Sequence, residues 1–294
     1  MNQNQLNRQL AINYAILKKL VQDDQEVNRF ITKDNLLELL DVQTFYHTHF
    51  SAMKFVEFFP MVYGLLRRET EASFAQLKPR IRIYNRYEKE YPISFFHDLG
   101  QNTPLFIYTC GDIDLFDRKL PKLVLVSTMG KTDQMIQASL NLLDQFDGSK
   151  EVLVLSQQTP LNHIVYSKIH TLSVSSIVFV NHALNKSIFK STFFPCNQTK
   201  IKHLLISAIS PDESNLDQHQ QLTDTLAVSM SKAGVLLSDQ ASDLKLESCL
   251  RLLSSHKPII VPFFEYTRHE LILTLRPEHL RENIDSMLLH PHSK

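Results

Sequence analysis

The segment Lys122-Leu-Val-Leu-Val-Ser-Thr-Met-Gly-Lys-Thr-Asp133 has the residue types and spacing to hold a phosphate. Its apolar run, Leu123 to Val126, is too short and too β-branched for a helix and ends at small polar residues, a glycine and a lysine. That pattern predicts strand, turn and helix. Such a turn places backbone N–H groups and a helix N-terminus at the C-terminal edge of a parallel sheet, where open α/β folds bind phosphate-bearing ligands. Ser127, Thr128 and Lys131 are the candidate contacts there.

A second stretch has a different chemistry. Between Val152 and Pro211 there is no Asp or Glu, while Lys168, Lys186, Lys190, Lys200 and Lys202 occur, with His163, His170, His182 and His203 among them. Tyr166, Phe179, Phe189, Phe193 and Phe194 are interleaved. Lysines neutralise phosphates, and aromatic faces stack on unpaired bases at roughly 1–3 kcal/mol each, so this composition suits single-stranded nucleic acid. It equally suits core aromatics with a rim of solvated lysines. A third turn, Ser242-Asp-Leu-Lys-Leu-Glu247, follows an apolar run at Val235 and opens an amphipathic pattern. Ser242 or Asp243 is expected as the helix N-cap, with Glu247 favourable to the helix dipole. In a doubly wound sheet this turn shares the edge of Ser127, so Ser242 and Asp243 could also wall a common site.

Other chemistries are poorly represented. The six glycines stand at 64, 100, 111, 130, 148 and 234, which leaves no glycine-rich phosphate cradle. No G-x-S-x-G elbow surrounds Ser127, which argues against a serine hydrolase. His47-x-His49 lacks a nearby third ligand and His290-x-His292 lies in the C-terminal tail, where fraying is expected, so no metal site is expected, nor any cofactor. Cys110, Cys196 and Cys249 are odd in number and far apart, as in structural thiols of a reducing compartment. The formal net charge is zero, so any attraction to nucleic acid must come from a local patch. No apolar run approaches the roughly 18 residues of a membrane span, and the first residues lack a signal peptide's pattern. A cytoplasmic protein without membrane contact is expected.

The elements that must position these residues follow from periodicity. From Leu6 to about Arg68 apolar residues recur at helical spacing, with Asp34 and Ser51 as expected helix starts and Asp23, Asp24, Glu26, Glu38 and Asp41 on solvated faces. Pro79 breaks that pattern, and Arg80 to Asn85 alternates as a half-buried strand does. The expected division is a helical module over 1–78 and a Rossmann-like domain with a short tail over 79–294. Within the latter, strands near 105–110, 123–126, 152–155, 177–180, 204–207, 235–237 and 259–261 alternate with helical patterns, and 271–275 offers one more strand. Alternation of this kind predicts an α/β fold with a mostly parallel, doubly wound sheet.

The order of these segments resembles the DNA-processing protein A family (DprA, also called Smf). The family's strand, Tyr-Pro and "P-x-x-L-x-x-x-G-n-x-x-L" segments are similar to Arg80-Ile-Arg-Ile-Tyr84, Tyr91-Pro-Ile-Ser-Phe-Phe96 and Thr103 to Phe116, and its "IAIVGSR" to Lys122 to Met129. Its "GLSDAVVVVEA" resembles Ser229 to Asp239, and its "GRPVFAVPG" resembles Ser255 to Pro262, so the likeness spans about residues 6–265. Where the family has Gly-Ser-Arg, this chain has Ser127-Thr128-Met129, with Lys131 the nearest cation. The family's "SGLARGID", "RNR" and "SGSLIT" fall near Leu155 to Pro160, Thr223-Asp224-Thr225 and Ser242 to Glu247, and none is retained.

The resemblance implies an extended Rossmann fold, single-stranded DNA as ligand, the RecA recombinase as a partner that is loaded onto that DNA, a homodimer, and no catalysis. Together with the basic stretch, it gives as expected DNA contacts, at the C-terminal edge of the sheet, Ser127, Thr128, Lys131, His163, Lys168, Lys186, Lys190, Lys200 and Lys202. The missing arginines would each remove a charge-assisted phosphate contact. Two other classes fit the residues: an enzyme acting on a nucleotide or phosphorylated sugar in the same crevice, with Glu247 as candidate acid, and a scaffold that binds a protein partner through the helical module.

Overall fold

Leu10, Ile16, Leu17 and Leu20 fall on one stripe of helix α1 (Gln3–Val21), and each is at most 4% exposed. The computed structural model describes residues 2–50, 59–117, 119–127, 133–146, 150–156, 174–184, 202–213, 219–265 and 268–274. They divide into two compact units. One takes Met1–Cys110 with His182–Ile188 and Ser207–Leu216, and the other takes Gly111–Asn181, Phe189–Ile206 and Asp217–Lys294. The boundary expected after residue 78 falls inside the first unit, ahead of its only antiparallel strand pair among the described residues.

In the first unit α1 opens with a capping box: the Asn2 side chain accepts from the Gln5 N–H at 2.9 Å, and the Asn2 N–H donates to Gln5 Oε1 at 3.0 Å. Asp23 caps α2 (Asp24–Phe30), and Asp41 caps α3 (Val42–His49). Asp34 starts no helix; a 3-10 turn begins at Leu36, behind Asn35. The expected start at Ser51 lies outside the described residues. Helix α4 (Phe59–Ala75) buries Thr70 and Phe74, whereas nothing from Pro60 to Glu69 is buried.

Strand β1 (Arg82–Asn85) pairs antiparallel with β2 (Phe106–Gly111), and α5 (Ile93–Leu99) connects them. The Ile83 N–H donates to Asn4 Oδ1 at 2.9 Å and its carbonyl accepts from Asn7 Nδ2 at 2.7 Å, so α1 side chains satisfy the backbone that β2 does not. Arg86, 8% exposed, donates to the carbonyls of Asn28, Ile31 and Thr103 and to Asn28 Oδ1, which places a cation at the C-terminal end of α2. The segment after Ser207 is fastened to α1 by ion pairs, Lys18 to Glu213 at 2.6 Å and Lys19 to Asp212 at 2.7 Å. Lys18 also meets Asp24 at 2.8 Å. Asp23, Asp24 and Asp41 are therefore engaged in caps and pairs, not simply solvated.

The second unit is built on parallel strands: β3 (Lys122–Ser127), β4 (Val152–Ser156), β5 (Ser175–Phe179), β6 (His203–Ser207), β7 (Ala233–Leu237), β8 (Ile259–Val261) and β9 (Ile272–Thr274). Their order is β6-β5-β4-β3-β7-β8-β9. The chain steps outward from β3 through β6, then returns to the other side of β3 with β7. That reversal makes β3 the switch point of a doubly wound sheet. The central strands read as continuous apolar runs because both faces are covered, and Leu123, Val154 and Val235 are fully buried. The mostly parallel α/β fold expected from the sequence is the fold of this unit.

Four helices of this unit are described: α6 (Asp114–Asp117), α7 (Asp133–Leu143), α8 (Gln220–Met230) and α9 (Glu247–Ser254). Two glycines permit close approaches. A Cβ on Gly111 (φ +126°) would lie 2.2 Å from the His203 carbonyl oxygen, and one on Gly234 would lie 2.4 Å from Leu252 Cδ1 of α9.

Candidate nucleic-acid interface

Three serines end the strands around the switch point. Ser127 closes β3 and pairs in register with Leu237, Ser156 closes β4, and Ser238 follows β7. Small residues here keep the strand ends low against the edge, and all three are at most 5% exposed. The Ser156 hydroxyl donates to Asp224 Oδ1 of α8 at 2.7 Å, and the Ser238 hydroxyl donates to Asp243 Oδ2. Asp224 and Asp243 are both half-buried.

The flanking groups are turned inward. Thr223 Oγ1 donates to the carbonyl of His219, the N-cap of α8, at 2.8 Å, and Thr225 Oγ1 to that of Gln221 at 2.7 Å. Ser238 Oγ also accepts from the Gln240 N–H at 3.1 Å, which closes the turn after β7. Neither Ser242 nor Asp243 caps α9, contrary to the expectation. A 3-10 turn, Ala241–Lys245, intervenes; Ser242 is exposed with its hydroxyl 3.4 Å from Gln240 Oε1, and Leu246 occupies the cap position without a side-chain bond. Glu247 does begin α9, where hydrogen bonds from Gln221 and Arg251 hold its carboxyl below the usual range.

Lys202 is on the other side of the sheet. It immediately precedes β6, and its carbonyl accepts from Ser176 N–H at 3.0 Å at the start of β5, so in a parallel sheet it marks the N-terminal edge. Its ammonium pairs with Asp112 and reaches Asp114 at 3.5 Å. The expectation that Lys202 joins Ser127 at one edge is corrected by strand direction. Thr128, Lys131, His163, Lys168, Lys186, Lys190 and Lys200 lie outside the described residues, as do Cys196, His290 and His292.

Among the described residues no group of three or more His, Cys, Asp or Glu is placed to hold a metal. No described helix is long and apolar enough to cross a membrane. Cys110 and Cys249 are buried free thiols, and burial pushes Cys249 up to about 12. The Ser156–Asp224 pair was not evident in the sequence. Its one signal was the repeated ending of an apolar strand on serine, at Ser127 and again at Ser156.

Neither protein-family models nor curated proteins give a match to this chain. Solved structures do. DNA processing protein A (DprA) from Streptococcus pneumoniae superposes with a TM-score of 0.54 at 13% identity, over 95% of this chain and 91% of that one. DNA processing protein A from Helicobacter pylori, whose structure concerns its single-stranded DNA binding mode, gives a TM-score of 0.51 at 15% identity over 73% of this chain and 98% of that one. Over nearly its whole length, the chain has the fold of DNA processing protein A.

Proposed function

We propose that this chain is a DNA-processing protein that binds single-stranded DNA at the C-terminal edge of its parallel sheet. The observation that carries the reading is the fold shared with DprA, one of whose structures concerns its single-stranded DNA binding mode. The proposed contacts are Ser127, Thr128 and Lys131 after β3, with His163, Lys168, Lys186, Lys190 and Lys200 on phosphates. Ser242 and Asp243 wall the same edge. Its place is in DNA recombination or natural transformation in the cytoplasm, as a homodimer that hands DNA to a RecA-type recombinase and catalyses no reaction itself.

Labelled single- and double-stranded oligonucleotides titrated at two salt concentrations test this. Tighter binding of the single strand is expected, with affinity falling as salt rises because lysine–phosphate contacts release counterions. Absence of binding at low salt would overturn it.

A second reading, a scaffold for a protein partner, is favoured by Met61 and Leu65, which are one turn apart on α4 and 63% and 51% exposed. It predicts that neither an oligonucleotide nor a mononucleotide shifts the melting temperature.

A further inference from the structure

A backbone phosphodiester at neutral pH only accepts hydrogen bonds, so a strand-end site that grips it must offer N–H, O–H or a cation. Ser156 has one hydroxyl proton, and that proton is given to Asp224. The hydroxyls on either side of Asp224 donate to carbonyls of the first turn and N-cap of α8. Ser156 is 4% exposed while Asp224 is half-buried, so the aspartate is the more accessible residue of the pair. Any further donor that Asp224 engages is likewise a donor withheld from phosphate.

We infer that Asp224 is a specificity-determining residue that sets the β4 end of the edge against phosphate, and so limits how tightly this chain holds a nucleic-acid backbone. The inference rests on the single-stranded DNA reading above. The carboxylate acts in two ways: it repels phosphate through space, and it competes with phosphate for local donors.

Asp224→Asn removes the charge and keeps an oxygen for the Ser156 proton, so α8 stays fastened to β4 and the melting temperature holds. With a fluorescein-labelled mixed-sequence single strand as probe, Asp224→Asn is expected to bind about three- to tenfold more tightly at low salt, with the gain shrinking at high salt. Ser156→Ala loses the fastening but keeps the charge, and is expected to give no gain. Glu270→Gln removes an exposed carboxylate just before β9, at the opposite edge, and controls for net charge.

If wild type binds and Asp224→Asn matches it in affinity and salt slope, the inference fails while the DNA reading stands. An equal gain in Ser156→Ala or Glu270→Gln also overturns it. If no variant binds at any salt, both fail; if only Asp224→Asn binds, the role of the carboxylate is supported.

Discussion

Glu88 shows how burial and hydrogen bonding compete at a single side chain. Its Oε1 accepts from Gln3 at 2.6 Å, Asn7 at 2.7 Å and Asn85 at 3.0 Å, yet burial is the larger influence and holds the carboxyl above its ordinary range. A raised carboxyl binds its proton more tightly folded than unfolded. Its contribution to stability is therefore full below the unfolded value near ~4.3 and is lost as pH rises through the folded one. Glu88→Gln keeps the accepting oxygen and should flatten this part of the profile, with a melting temperature at neutral pH equal to or above wild type. Identical melting profiles for the two proteins between roughly pH 4 and 6 would refute it. Lys18 is the opposite case: burial alone would lower it, but Glu213, Tyr14 and Asp24 together hold it above the ordinary lysine range. Lys18→Met strands Glu213 beside an apolar group, and a loss of roughly 1–3 kcal/mol is expected in urea unfolding at pH 7. Cys249, pushed up to about 12, should resist a thiol reagent at pH 8 until the chain unfolds. Mass spectrometry of the native protein showing rapid labelling at Cys249 would contradict this.

At the scale of elements, the tightest constraints are close approaches and helix ends. Gly111 faces a backbone carbonyl that cannot move aside, whereas Gly234 faces the tip of a leucine that can turn. Gly111→Ala should therefore cost more than Gly234→Ala, and the order of their denaturation midpoints checks it. Arg86 binds several carbonyls at once through a planar fork, which the single ammonium of lysine cannot reproduce. Arg86→Lys is expected to lose about 1–3 kcal/mol; a midpoint equal to wild type would show the fork to be dispensable. The helix ends show what local sequence leaves open. Asp23 and Asp41 meet the ordinary capping preference, but Ser242 and Asp243 meet it equally well and cap nothing. Asp243 is claimed instead by Ser238, a partner on the preceding strand's exit.

At the scale of the molecule, stability should be graded. The interior strands β3, β4 and β7 are buried on both faces, while α4 from Pro60 to Glu69 buries nothing. Native hydrogen exchange should find the slowest amides in those strands and much faster ones in the first half of α4; comparable protection would show that α4 is covered in solution. The sequence by itself determined the class of fold, because short β-branched runs alternating with amphipathic patterns have few ways to bury their apolar faces other than a covered parallel sheet. It also determined that Ser127 ends a strand at the sheet edge. The tertiary structure decided which residues share that edge. Strand direction put Lys202 at the far end, between Asp112 and Asp114, although it lies in the same basic stretch of sequence. Packing of α8 against β4 joined Ser156 to Asp224, 68 residues apart, and set a carboxylate beside the end of β4. Charge along a chain is a local property, but the field at a site depends on which strand ends meet there, and only the fold fixes that.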